Sequence, residues 1–122
     1  MILVDSSVWI DHLHATEPTL TQHLSRDQVG SHPAVIEELA LGTLRDRSAM
    51  LAGLERLHRF PVASHTELLE LVERRRLWGR GLSAVDAHLL GSVALVPAAR
   101  LWTRDKRLLA ACRDLGLGWI DG

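Results

Sequence analysis

Four places in the chain set a carboxylate beside the end of an expected strand or the start of an expected helix. Asp5 follows the apolar run Ile2-Leu3-Val4 and precedes Ser6 and Ser7. Glu37 and Glu38 lie on a helix that Pro33 opens. Asp86 ends the stretch Ser83-Ala84-Val85-Asp86, and Asp105 follows Arg100-Leu101-Trp102-Thr103 by two residues. If the strand ends converge, three or four carboxylates meet at one edge of a sheet. Crowded carboxylates repel, and without a cation some protonate. Hard oxygen donors with no His or Cys between them suit Mg²⁺ or Mn²⁺ rather than zinc. Such an ion can bind a phosphate oxygen and help activate water for in-line attack.

Each acid also has a plainer reading. Asp86 serves equally as the last residue of a capping box, and Asp105 as a helix N-cap. Glu37 or Glu38, taken alone, reads as part of a solvated helix face. Asp11 reads as an ordinary surface acid in mid-helix. Asp5 is the hardest to dismiss, because it directly follows a strand apolar on both faces. A helical wheel does not separate Glu37 from Glu38. Gly42, four residues after Glu38, would leave room beside it and favours Glu38 slightly.

The elements that must position these groups alternate along the chain. Ile2–Val4 reads as a buried parallel strand, which places Asp5 at its carboxyl end, where open α/β sheets form their crevice. The serines can cap a following helix whose apolar side is Val8, Trp9, Ile10 and Leu13. Thr16-Glu17-Pro18 starts another helix. Strands are expected at 28–31, 60–63, 100–103 and 117–120. Helices are expected from Pro33 to near Gly42, over 45–59, over 68–77 after the capping box Ser64-His65-Thr66-Glu67, after Ser83, and over 105–115. Strands separated by helices imply a parallel sheet between helical layers.

The totals fit one domain spanning 1–122, with 47% hydrophobic and 24% charged residues. A net charge of −1 excludes a generally basic surface but not a local one. The single cysteine, Cys112, cannot form an internal disulfide and suits a reducing cytoplasm. No signal peptide is expected, and the apolar stretch 89–99 is too short to span a membrane.

Taken together, I-L-V-D-S-S-V-W-I-D at 2–11, E-L-A-L-G at 38–42, D-A-H-L-L at 86–90 and L-W-T-R-D-K-R-L at 101–108 resemble the PIN-domain family, most closely its VapC toxins. The resemblance covers essentially the whole chain, and it lies in the ordered set of four motifs rather than in any one. It implies a three-layer α/β/α domain with a central parallel sheet of about five strands. It also implies a metal-dependent ribonuclease held inactive by a VapB-like antitoxin, and a homodimer. By the same resemblance Asp5, Glu38, Asp86 and Asp105 are the family's four acids, with Asp5, Asp86 and Asp105 holding the metal. Glu38 is chosen over Glu37 because an acid followed by Leu, with Gly four positions on, is the family pattern. Ser6 keeps a hydroxyl where the family often has Thr, and Thr103 is expected to support the metal's water shell.

An acidic site repels RNA, so the ion and nearby basic residues must offset its charge. Arg76 and Arg80, before the Asp86 helix, and Arg104 and Lys106, flanking Asp105, are the expected phosphate contacts. Singly, each reads as a solvated charge. Trp78, in a Gly-rich turn, could stack on a base. Trp9, Trp102 and Trp119 read as core, and His88 as a packing or helix-surface residue. A receiver-type phosphoacceptor would be expected to pair acids near the N-terminus, and a nucleophilic-Asp phosphatase would carry Asp rather than Ser at position 7. A non-catalytic PIN-like module binding RNA or protein is the remaining alternative.

Overall fold

The computed structural model describes residues 1–122. Five strands, β1 (Ile2–Val4), β2 (Val29–Ser31), β3 (His58–Arg59), β4 (Arg100–Trp102) and β5 (Gly118–Ile120), form one sheet in the order β3-β2-β1-β4-β5. Every neighbouring pair is parallel. Parallel neighbours need crossovers, and seven helices supply them. They are α1 (Ser6–His14), α2 (Pro18–Ser25), α3 (Pro33–Ala40), α4 (Arg47–Glu55), α5 (His65–Arg75), α6 (Ala84–Leu95) and α7 (Lys106–Asp114). The result is the expected three-layer α/β/α arrangement.

The centre of the sheet is the driest part of the molecule. Ile2, Leu3, Val4, Val29, Leu101 and Trp102 are all essentially inaccessible. A continuous apolar run is what a strand covered on both faces requires. Helix α6 is apolar on most of its circumference and buries Leu89, Leu90, Gly91, Ser92 and Val93. Burial of one such leucine contributes about 1.5–3 kcal/mol.

The order of the strands places the site. From β1 the chain moves outward through β2 to β3, then returns to the other side of β1 for β4 and β5. The carboxyl ends of β1 and β4 therefore flank the point where the winding reverses, the usual crevice of an open parallel sheet. Val4 pairs with Trp102 there, and the Asp5 N–H donates to the Trp102 carbonyl at 2.9 Å.

Several boundaries differ from those read in the sequence. The third strand is His58–Arg59, not 60–63. Phe60 still donates its N–H to Ser31, but Pro61 has no N–H with which to continue. The two paired residues sit exposed at the sheet edge, so no apolar signal marks them. Helix α4 covers only Arg47–Glu55 and follows Asp46 in a left-handed conformation (φ 50°). Of the expected apolar side of α1, Val8 and Trp9 are buried, but Ile10 and Leu13 are 46% and 43% exposed. Trp119 is 39% exposed on the edge strand β5, with the Arg113 guanidinium 4.9 Å from its ring centre.

Candidate functional site

The acids are placed by local structure that the sequence encodes residue by residue. Asp5 is itself the N-cap of α1, accepting from the Ser6 N–H at 2.8 Å. The cap is thus the acid rather than the serines that follow it. Both hydroxyls nonetheless serve the site. Ser7 Oγ donates to Asp5 Oδ2 at 2.8 Å, and Ser6 Oγ donates to Glu38 Oε1 at 3.1 Å. Thr103 Oγ1 donates to Asp5 Oδ2 at 2.7 Å and accepts from the Asp105 N–H at 3.0 Å. Ser6 therefore links Asp5 with Glu38, and Thr103 links Asp5 with Asp105.

Asp86 and Asp105 are both capping residues. Ser83 and Asp86 form the reciprocal capping box of α6, with Ser83 N–H on Asp86 Oδ2 at 3.0 Å. Asp105 N-caps α7, accepting from the N–H groups of Arg107 and Leu108 at 2.9 and 3.1 Å. A capping role leaves room for a second one: the N-terminus of α7, just past β4, sets Asp105 at the crevice, and that of α6 sets Asp86 within range of the charges of Asp105 and Asp5. Of Glu37 and Glu38, it is Glu38 that reaches Ser6 and lines a groove with Gly42.

Glu38 and Asp86 each feel the charge of neighbouring acids. Burial, opposed by the Ser6 hydroxyl, raises the Glu38 pKa, and the charges of Asp5 and Asp86 raise it further. Burial likewise raises Asp86, against the Ser83 hydrogen bonds, with Asp105 and Asp5 adding to it. All six salt bridges of the chain use other acids: Asp11, Glu17, Asp27, Glu55, Asp114 and Asp121. The site's negative charge is left without a cationic side chain. As the side chains stand, no three acidic, histidine or thiol groups converge tightly enough to hold one ion. The match to Mg²⁺ or Mn²⁺ lies in the donor chemistry, all hard oxygen, and in this uncompensated charge.

The expected phosphate contacts divide. Arg76 is exposed in a left-handed conformation after α5, and Lys106 is exposed in the first turn of α7; neither has an acidic partner. Arg80 instead pairs with Asp114 at 2.6 Å. Arg104 is committed inside the fold. Its guanidinium donates to Asp11 at 2.7 Å, to Glu17 at 2.7 Å and to the Gly122 carbonyl at 2.6 Å. Its backbone N–H donates to Ser7 Oγ at 3.0 Å. It clamps the loop carrying Asp105 onto α1, and gives Asp11 a partner that mid-helix position alone does not suggest. Ser7 is the site residue that the reading by types overlooked; its signal was a second hydroxyl directly after the capping acid.

Beside Glu38, a groove of about 560 Å³ runs past Ile10, Leu13, Leu39, Gly42 and Leu44. The partly exposed Ile10 and Leu13 line it, which accounts for their exposure.

Comparison with known proteins agrees with this geometry. The PIN domain family model matches residues 2–114. The chain is 62% identical over 117 residues to Ribonuclease VapC32 of Mycobacterium tuberculosis, in both strain CDC 1551 / Oshkosh and strain H37Rv. That match covers 96% of this chain and 94% of the relative. The crystal structure of PAE2754 from Pyrobaculum aerophilum shares the fold with a TM-score of 0.60, at 21% identity over 90% of this chain and 83% of that one. With its motifs in order, its sheet wound as expected and its relatives aligned almost end to end, the chain belongs to the PIN-domain family, among the members of VapC type.

Proposed function

We propose that this chain is a Mg²⁺-dependent endoribonuclease, the toxin of a toxin–antitoxin pair, which cleaves RNA phosphodiesters and so inhibits translation. The observation that carries the reading is a set of carboxylates without a cationic partner at the switch point of the sheet: Asp5, Glu38 and Asp105 joined through Ser6 and Thr103, and Asp86 within range of the charges of Asp5 and Asp105. The 62% identity to a protein named as a ribonuclease supports it.

Asp5, Asp86 and Asp105 would hold the ion, directly or through water, and Glu38 completes the acidic ring. When bound, a divalent cation supplies Lewis-acid polarisation of the phosphodiester and a lowered pKa for the attacking water. The chain's own groups do the rest. Ser7 and Thr103 fix the Asp5 carboxylate by donating to Oδ2, which holds it in one orientation. The caps on Asp86 and Asp105 hold those carboxylates at the helix starts. Glu38, whose pKa burial raises, lies beside Asp5 through Ser6 and is placed to exchange a proton with the attacking water or the leaving oxygen. Arg76 and Lys106 are the free cations available to offset phosphate charge.

The partners that follow are RNA, a VapB-like antitoxin and a second copy of the chain, in a cytoplasmic setting. No helix is long and apolar enough to cross a membrane. The test is incubation of the purified chain with a panel of structured RNAs, in Mg²⁺, in Mn²⁺ and in chelator. Cleavage at discrete positions only with metal supports the reading. Intact RNA under every condition would leave the non-catalytic binding module.

A further inference from the structure

The loop from Arg76 to Leu82 contributes no acid, yet it is fixed between two of them. Leu77 is buried and donates its N–H to the Val72 carbonyl at 3.0 Å. Arg80 ties the loop to Asp114 on α7. Gly81, at φ 75°, lies beneath the Arg107 side chain; a Cβ there would stand 2.7 Å from Arg107 Nη1. The Arg107 backbone in turn donates to Asp105. At its other end the loop runs into Ser83, which is locked to Asp86. The loop thus touches one acid's cap through Arg107 and runs directly into another's at Ser83.

From this anchored loop Trp78 points outward, 57% exposed, before Gly79 at φ 72°. Its ring has no aromatic or cationic partner, unlike Trp9, Trp102 and Trp119. Arg76 on the same loop, and Lys106 and Arg107 on the facing start of α7, are exposed with no acidic partner. A lone indole on a loop that also carries Arg76 and packs against Arg107 at Gly81 lacks the contiguous apolar area of a protein-docking patch. It has what a single nucleic-acid strand needs: an aromatic face for a base and positive charge for the adjoining phosphates.

We propose that Trp78 is a stacking platform for one unpaired base of the RNA, with Arg107 on a neighbouring phosphate, so that this loop selects single-stranded over duplex RNA beside the acids. The proposal deepens the ribonuclease reading and rests on it. The test uses the full chain carrying Asp5→Asn, in Mg²⁺, with a fluorescein-labelled single-stranded RNA of mixed sequence and the same RNA annealed to its complement. Adding Trp78→Ala is expected to weaken single-strand binding by about tenfold or more, to leave duplex binding unchanged, and to remove quenching of indole fluorescence by the RNA. Trp78→Phe is expected to restore most of the affinity, and Arg107→Ala to lower the salt dependence by about one phosphate contact. In the cleaving chain, Trp78→Ala is expected to raise KM with little change in kcat.

Unchanged single-strand affinity in Trp78→Ala, with wild-type cleavage intact, would overturn the platform and leave the ribonuclease reading standing. Loss of binding to the antitoxin with RNA affinity unchanged would also overturn it, assigning Trp78 to a protein contact. A wild-type chain that neither binds nor cleaves any RNA would overturn both readings.

Discussion

At the residue scale, the site depends on who holds Asp5. A carboxylate this buried, only 5% exposed, is tolerated because each oxygen accepts hydrogen bonds. Thr103 is the critical partner, since its one hydroxyl serves Asp5 as donor and the Asp105 N–H as acceptor. Thr103→Val keeps the shape and strands both groups. It is expected to cost about 1–3 kcal/mol in chemical denaturation and to depress RNA cleavage, whereas Thr103→Ser retains both. A second buried residue sets a pH dependence. His32 Nδ1 accepts from the Ala34 N–H and so caps α3, and burial, followed by the charge of His88, lowers its pKa from 6.5 to about 4. The unfolded chain takes up a proton as pH falls through 6.5, while the folded chain does not until about 4. Stability is therefore lost across that window, by up to roughly 3 kcal/mol. His32→Asn retains a cap acceptor without the titrating ring, and denaturation followed against pH should show a shallower acid slope; an unchanged slope would contradict the assignment.

At the element scale, the elements that build the site were legible because their signals are local. Ile2-Leu3-Val4 is a buried strand by its own composition, and Ser64, Ser83 and Asp105 announce helix starts by capping chemistry alone. The edge strand β3 was not, because pairing with β2 rather than apolar content defines it. Nor was the fate of Arg104, whose partners Asp11, Glu17 and Gly122 come from distant parts of the chain. Glu37 and Glu38 could not be separated from helix periodicity, since both lie off the buried face; only the tertiary contact of Glu38 with Ser6 divides them. Gly30 shows how closely the edge is packed. A Cβ there would sit 2.3 Å from Phe60 Cε1 and 3.1 Å from the His58 carbonyl. Gly30→Ala is expected to destabilise the fold by about 1–3 kcal/mol through overpacking. Hydrogen exchange should place the loosening at β2 and β3, with the Asp5 end of β1 remaining protected; a variant as stable as wild type would contradict the contact.

At the scale of the whole molecule, the winding of the sheet sets three capping acids, Asp5, Asp86 and Asp105, on the same side as Glu38 of α3. No segment shorter than the complete β1-to-α7 path brings Asp5, Glu38, Asp86 and Asp105 together, which is why no single motif was diagnostic and the ordered set was. The groove beside Glu38 and the loop that packs Gly81 under Arg107 lie next to these acids. If the carboxylates act as one metal-holding unit, their losses are not additive. The decisive measurement is single-turnover RNA cleavage, titrated with Mg²⁺, for wild type, for Asp5→Asn, Glu38→Gln, Asp86→Asn and Asp105→Asn, and for the Asp5→Asn/Asp86→Asn pair. The expected result is cleavage that requires the metal, a fall of about a hundredfold or more in each single variant, and a pair no worse than its weaker member. Cleavage that persists in chelator, or losses that multiply as independent effects, would contradict a single metal-dependent site.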